Sequence, residues 1–277
     1  LENINLNDYD FHSYSHIQRV VEAERNVYSD RAYYLGDMDF VSVPFEILIS
    51  DEYSTNRWNE INFDSSRKSI NVSHGDINVN FESEETTHYS VADKWGNAIS
   101  VTTTVNGWYG NGITVDKAGF LLNNEMDDFS SKPGVPNKYG LVGAEANAIY
   151  PGKRMLSSMT PTIVLDENEK LYLVLGSPGG STIITTVAQI IMNIIDFDMT
   201  LEAAVEAKRF HHQWLPDVIY SEPNSIGNKD RIELNKLGYT IKNRRSIGEA
   251  NCILIDNESS NFYVSGDSRR RASAKAY

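Results

Sequence analysis

Apolar positions change rhythm several times along the chain. Between residues 15 and 35, Ile17, Val20, Val21, Ala23, Val27 and Tyr28 recur at mixed spacings of three and four with charged residues between them, which predicts an amphipathic helix packed on one face. From Ser50 to Glu85 no period holds: Asp51-Glu52, Ser65-Ser66 and Glu82-Ser83-Glu84-Glu85 read as an exposed connector, open to proteolytic nicking.

After Thr86 the rhythm shortens to that of strands. His88–Ala92 and Ala98–Thr104, separated by Asp93-Lys94-Trp95-Gly96-Asn97, predict a hairpin. Further strands are predicted at Gly119–Leu122, Thr162–Asp166, Leu171–Gly176, Tyr239–Lys242, Cys252–Asp256 and Phe262–Ser265. The wide apolar stripe Ile183, Ile184, Val187, Ile190, Ile191, Ile194 and Ile195 predicts a buried helix, and Leu201–Arg209 a second one with Thr200 as N-cap. Asp230–Leu237 reads as a third, ended by Gly238. Strands, buried helices, then strands again predict α+β packing with helices laid on sheet faces.

The 277 residues carry 25 Lys+Arg against 38 Asp+Glu, a net charge of −13 that argues against a nucleic-acid backbone as partner. The acidity is uneven: residues 1–85 hold 6 basic and 17 acidic residues, net −11, so composition breaks near Thr86. Cys252, the single cysteine, lies in an apolar run and reads as a buried inert thiol, which leaves no internal disulfide or multi-cysteine metal site. No apolar run approaches membrane-spanning length. The start lacks both a signal peptide and an initiating methionine, so the chain is expected to be a processed or truncated piece.

Four clusters could carry chemistry. A threonine hydroxyl needs a base to become nucleophilic, and cleavage of the Glu85–Thr86 bond would give Thr86 its own α-amine for that purpose. The adjacent glycines of Gly176-Ser177-Pro178-Gly179-Gly180-Ser181 precede a predicted helix, so the Gly179 and Gly180 N–H groups suit an oxyanion hole; the lysine of a phosphate-binding loop is missing. Glu125 and Asp128 could accept from a substrate ammonium, while Ser157 and Ser158 could donate to a carboxylate, together gripping the charged ends of an α-amino acid. Each cluster also has a plain reading, as strand-forming threonines, a solvated acidic loop or a turn. His88 and the His211-His212 pair lack metal-ligand spacing and read as packing residues, and neither metal nor cofactor is expected. Arg269 reads either as support for the site through a carboxylate or as surface charge.

Five motifs, in order, resemble those of bacterial γ-glutamyltransferases: Thr86-Thr87-His88-Tyr89-Ser90-Val91-Ala92-Asp93, Leu121–Phe129 with Asn123-Asn124-Glu125-Met126-Asp127-Asp128, Leu156-Ser157-Ser158-Met159, Gly176–Ser181, and Arg209-Phe210-His211-His212-Gln213-Trp214-Leu215-Pro216. The resemblance runs from about residue 14 to Tyr277. It implies an N-terminal-nucleophile hydrolase with a four-layer αββα sandwich, made as a precursor that cuts itself. Residues 1–85 would then end the large subunit and residues 86–277 would form the small, catalytic one. By matching position, Thr86 is the self-processing and catalytic nucleophile and Thr104 supports it. Asn106, Glu125 and Asp128 contact the glutamyl α-amino group, Ser157 and Ser158 the α-carboxylate, and Gly179 and Gly180 the oxyanion. Tyr139, in Lys132–Gly140, takes the place of the lid residue.

The resemblance further implies transfer or hydrolysis of γ-glutamyl groups from glutathione and other γ-glutamyl amides through a γ-glutamyl-Thr86 ester. The acceptor is an amino acid, a peptide or water, and the setting periplasmic or secreted. Only 85 residues precede Thr86, so the remainder of the large subunit is an expected partner, the fold is expected to be incomplete without it, and this length of chain alone is expected to be inactive. Processing of poly-γ-glutamate and an uncleaved, non-catalytic binding module are the alternatives.

Overall fold

A computed structural model describes residues 1–75, 77, 88–269 and 272–275. Helices α1 (Tyr14–Tyr34), α2 (Phe45–Leu48) and α3 (Asp51–Asn59) come first, then strands β1 (Tyr89–Ala92), β2 (Ala98–Val101), β3 (Thr162–Leu165) and β4 (Leu171–Gly176). Helices α4 (Ile183–Ile195) and α5 (Leu201–Glu206), strands β5 (Phe210–His211) and β6 (Ile219–Ser221), helix α6 (Asn228–Lys236) and strands β7 (Ile241–Asn243), β8 (Asn251–Asp256) and β9 (Asn261–Gly266) follow. They belong to two compact units: Leu1–Glu84, Asn124–Ser157 and Phe210–Arg245 form the first, and Glu85–Asn123, Ser158–Arg209 and Ser246–Tyr277 the second. The first unit therefore draws on chain from both sides of the compositional break.

In the first unit α1 starts where Ser13 accepts a hydrogen bond from the His16 N–H. Its apolar stripe, Ile17, Val20, Val21 and Tyr28, is buried, yet so are Glu22 and Arg25. Those charges are paired locally: Glu22 pairs with Arg25 at 3.3 Å and Arg67 at 2.7 Å, Arg25 pairs with Asp217 at 2.6 Å, and Tyr239 Oη donates to Glu22 at 2.8 Å. Asp217 also accepts from the Ser69 N–H at 2.9 Å. Burial pushes the Asp217 carboxyl up, but the hydrogen bonds from His212, Ser69 and Arg25 outweigh it and hold the group well below the usual carboxylate range. A small sheet in the order β5-β6-β7, antiparallel then parallel, completes the unit, with α6 packed on α1.

The predicted connector over 50–85 is corrected for its described part. Ser50 caps α3 by accepting from the Tyr53 N–H, and Arg57 is buried, paired with Asp30 at 3.1 Å and donating to the Ser73 carbonyl at 2.9 Å. Asp30 in turn accepts from the Gly75 N–H at 2.9 Å. The segment is anchored by buried ion pairs, which leave no apolar period in the sequence. Residues 78–85 lie outside the described residues.

The second unit is built on a four-stranded antiparallel sheet in the order β3-β4-β8-β9. Alternation along β4 and β8 divides the apolar side chains between two faces. Leu173, Leu175, Ala250 and Cys252 meet Val187, Ile190 and Ile194 of α4 and Leu201, Ala204 and Val205 of α5. On the opposite face Val174, Ile253 and Ile255 pack with Ala92 and Ala98 of the β1–β2 hairpin. This unit thus stacks helices, sheet and hairpin. The Cys252 thiol, 2% exposed, has its pKa pushed up to about 12 by burial.

Two strand and helix expectations need correcting, and two short strands carry no sequence signal. Gly119–Leu122 forms only a bridge between Thr114 and Leu121, because Lys117 and Gly119 take φ of 62° and 75° and turn the chain. β5 and β6 were not predicted; runs of two and three residues carry no period. The helix predicted to reach Arg209 ends at Glu206, where the Arg209 guanidinium turns inward to the Val205 carbonyl at 2.6 Å, the Ile247 carbonyl at 2.8 Å and Asp267 at 2.7 Å. Arg269, 5% exposed in its side chain, is no surface charge: it pairs with the other Asp267 oxygen at 3.0 Å.

Burial pushes the Asp267 carboxyl up, but the two guanidinium groups and the Arg269 and Ala250 N–H donors prevail and hold it below its ordinary value. Replacing it strands two buried cations. Asp267→Asn is expected to lower unfolding stability by about 3–5 kcal/mol in chemical denaturation; a loss within about 0.5 kcal/mol, typical of a surface change, would contradict the buried-cluster account.

Candidate active site

The candidate residues divide between the units. In the second, β4 ends at Gly176, and a Cβ at that position would overlap the His88 imidazole. Glycine here lets the chain entering β1 lie against the end of β4. His88 is buried, with Nδ1 2.9 Å from Thr102 Oγ1 and Nε2 2.8 Å from Ser90 Oγ, which donates onward to the Asn251 carbonyl at 3.2 Å. Ser100 Oγ donates to the Leu175 carbonyl at 3.0 Å. Both hairpin strands are thus tied to β4 and β8 close to the glycine-rich loop.

Ser177, fully buried, accepts from the Glu249 N–H at 2.8 Å and donates to the Pro178 carbonyl at 2.7 Å, fixing the loop from within. Gly179 has φ of 148°, and a Cβ there would lie 2.6 Å from Thr182 Oγ1, which donates to the Gly179 carbonyl at 3.0 Å. Gly180, with φ of 59°, opens the turn Gly180–Thr182 that leads into α4. Among the described residues no group accepts from the Gly179 or Gly180 N–H. The loop therefore offers two backbone donors at a helix start, the chemistry of an oxyanion site. Beyond β2, Thr104 Oγ1 accepts from the Asn106 N–H at 2.8 Å, and Asn106 takes the left-handed region with φ of 64°. Thr86 and Glu85 lie outside the described residues.

In the first unit, Glu125 and Asp128 bound a single turn of 3-10 helix, half-buried. The Asn147 side chain donates from Nδ2 to the Asp128 carbonyl at 2.7 Å and accepts at Oδ1 from the Leu156 N–H at 2.8 Å. Arg31 of α1 donates to the Ser157 carbonyl at 2.6 Å. These ties bring the acidic turn and the Leu156-Ser157 segment together around a recess lined by Arg31, Asp128, Asn137, Asn147 and Leu156. The loop carrying Tyr139 is fastened to the same turn, because the Lys138 N–H donates to Asp127 at 3.1 Å. Asn137 organises the loop, its Oδ1 accepting from the Tyr139 N–H at 3.0 Å, and Gln213 donates to the Tyr139 carbonyl at 3.1 Å. Ser158 begins the next segment of the second unit.

Arg31 and Asn147 carry no mark in the sequence, and Ser177 stands out there only as one residue of the glycine-rich cluster. Their buried side chains and hydrogen bonds are what mark Arg31 and Asn147. His211 and His212 are buried and bonded, His211 Nε2 to Gln213 Oε1 at 2.8 Å and His212 through its N–H to Glu24 at 2.9 Å.

The chain belongs to the Gamma-glutamyltranspeptidase family, whose model matches residues 1–277. It is similar to the glutathione hydrolase proenzyme of Escherichia coli (strain K12), 46% identical over 255 residues, covering 92% of this chain and 43% of that protein. The chain spans about half the length of the curated relatives it matches. Among solved structures, a T380A mutant of Helicobacter pylori gamma-glutamyltranspeptidase is 56% identical, covering 66% of this chain and all of that one, with a TM-score of 0.64. Cephalosporin acylase from Bacillus halodurans, only 23% identical, shares the fold over 99% of this chain and 48% of its own, with a TM-score of 0.79.

Burial pushes the imidazoles of His88 and His211 down to about 4 and about 3. In the unfolded chain both titrate near 6.5, so the stability they contribute is fully present above that pH and is lost as pH falls from 6.5 toward the folded values. Their NMR ring resonances are expected to stay in the neutral positions from pH 8 to pH 5; midpoints near 6.5 would show that the rings are solvent-accessible.

Proposed function

We propose that the protein transfers or hydrolyses γ-glutamyl groups of glutathione and other γ-glutamyl amides after cutting itself between Glu85 and Thr86. The observation that carries this reading is the packing of His88 against Gly176, which holds the start of β1 beside the end of β4, where the glycine-rich loop begins. Support also comes from the proenzyme and transpeptidase names of the relatives.

The freed Thr86 amine takes the proton of its own hydroxyl, and Oγ attacks the γ-carbonyl. The Gly179 and Gly180 N–H groups hold the oxyanion, a contribution of about 10²–10³ in rate per donor. Collapse expels the protonated amine and leaves a γ-glutamyl-Thr86 ester. Water then completes hydrolysis, or an amino-acid or peptide amine completes transfer, returning the proton to Thr86. Thr104 orients the nucleophile. Asn106, Glu125 and Asp128 receive the glutamyl ammonium, Ser157 and Ser158 the carboxylate, and Tyr139 covers the bound group.

In this reading residues 1–85 close a large subunit whose remainder is a partner, and residues 86–277 form the small one. The outer face of the hairpin is apolar and exposed at Tyr89, Val91 and Ile99, which supports a further layer and hence a four-layer αββα sandwich. Without that partner the chain is inactive. Export to the periplasm or exterior is part of the same proposal.

Thr86→Ala in the full-length protein is expected to remain a single uncut chain on denaturing mass analysis and to lose γ-glutamyl anilide turnover. A processed or active Thr86→Ala protein would overturn the assignment.

A further inference from the structure

Two segments put forward by the sequence, the acidic turn Glu125–Asp128 and Leu156-Ser157, are far apart in the chain yet joined in the first unit by one side chain. Asn147 is 3% exposed and uses both ends of its amide: Nδ2–H to the Asp128 carbonyl at 2.7 Å, Oδ1 from the Leu156 N–H at 2.8 Å. A carbonyl needs a donor and an N–H needs an acceptor, so the amide fits in this orientation only. Its own backbone carbonyl accepts from the Ser130 N–H at 2.8 Å, adding a third tie just beyond the acidic turn. From α1, Arg31 fixes the next residue, donating to the Ser157 carbonyl at 2.6 Å, and its side chain lines the same recess as Asp128 and Asn147.

Resting on the function proposed above, we infer that Asn147, seconded by Arg31, is a positioning residue that sets the distance between the groups receiving the donor's ammonium and those receiving its carboxylate, and so selects α-amino acid donors over analogues lacking one charged end. Neither side chain is assigned a contact with the reacting atoms. Both act through Asp128 and Ser157, and a buried amide bonded at both ends holds such a spacing more firmly than solvated loops do.

The test uses the full-length protein with Asn147→Asp, which keeps size and the Oδ1 acceptor but sets a carboxylate oxygen against the Asp128 carbonyl, and Arg31→Lys as an independent variant. γ-Glutamyl-p-nitroanilide is compared with glutaryl-p-nitroanilide, which lacks the α-amino group. Both variants are expected to raise KM for the γ-glutamyl donor about tenfold, with kcat changed less than about threefold, and to narrow the preference for it over the glutaryl compound. A variant that matches the wild type in KM and preference, or loses kcat alone, overturns the inference while leaving the function intact. A wild type that turns over neither anilide overturns the function, and the inference with it.

Discussion

Strand β4 is buried on both faces, and the second unit depends on how it ends. Leu173 and Leu175 lie under α4 and α5, Val174 faces the hairpin, and the strand closes on Gly176 with the His88 ring where a side chain would be. Burial on both faces fixes the register of β4 against β8, since a one-residue slip would exchange its two sets of apolar contacts. With β4 fixed, Ser177 locks the following turn and Gly179 adopts a backbone closed to other residues. A strand, a turn and a helix start are thereby held rigidly enough to present backbone donors.

Buried charge sets the remaining geometry. In the second unit Asp267 gathers Arg209 and Arg269 and so ties the end of α5 to the exit of β9. In the first, Glu22, Arg25, Arg67 and Asp217 bind α1 to segments more than forty residues away in sequence. Such groups add little net stability over apolar packing of equal volume, but they tolerate only one arrangement, because removing a single partner leaves a desolvated charge. The chain spends them on orientation.

What could be read from residues alone followed from periodicity. The α4 stripe, the hairpin, β4, β8 and β9 alternate or repeat strongly enough to be found unaided, and Thr200 caps α5 as its side chain suggested, accepting from the Ala203 N–H. The segment after Ser50 hid its order, because Arg57 and Asp30 are buried as a pair and polar residues inside a fold look like polar residues outside it. Likewise Glu125, Asp128, Ser157 and the glycines stand out in the sequence as candidates by chemistry and spacing, whereas Asn147 and Arg31, which tie the acidic turn to the Leu156-Ser157 segment, have no local signal. Their role lies in contacts across many residues, which no short pattern encodes.

The account turns on which atom carries the acyl group during turnover. Full-length protein mixed with a γ-glutamyl anilide, quenched in acid within one turnover and digested for peptide mass mapping, reports this directly. The expected result is a γ-glutamyl ester on a peptide whose first residue is Thr86. An adduct on any other side chain, or turnover by protein in which residues 85 and 86 are still joined, would contradict it.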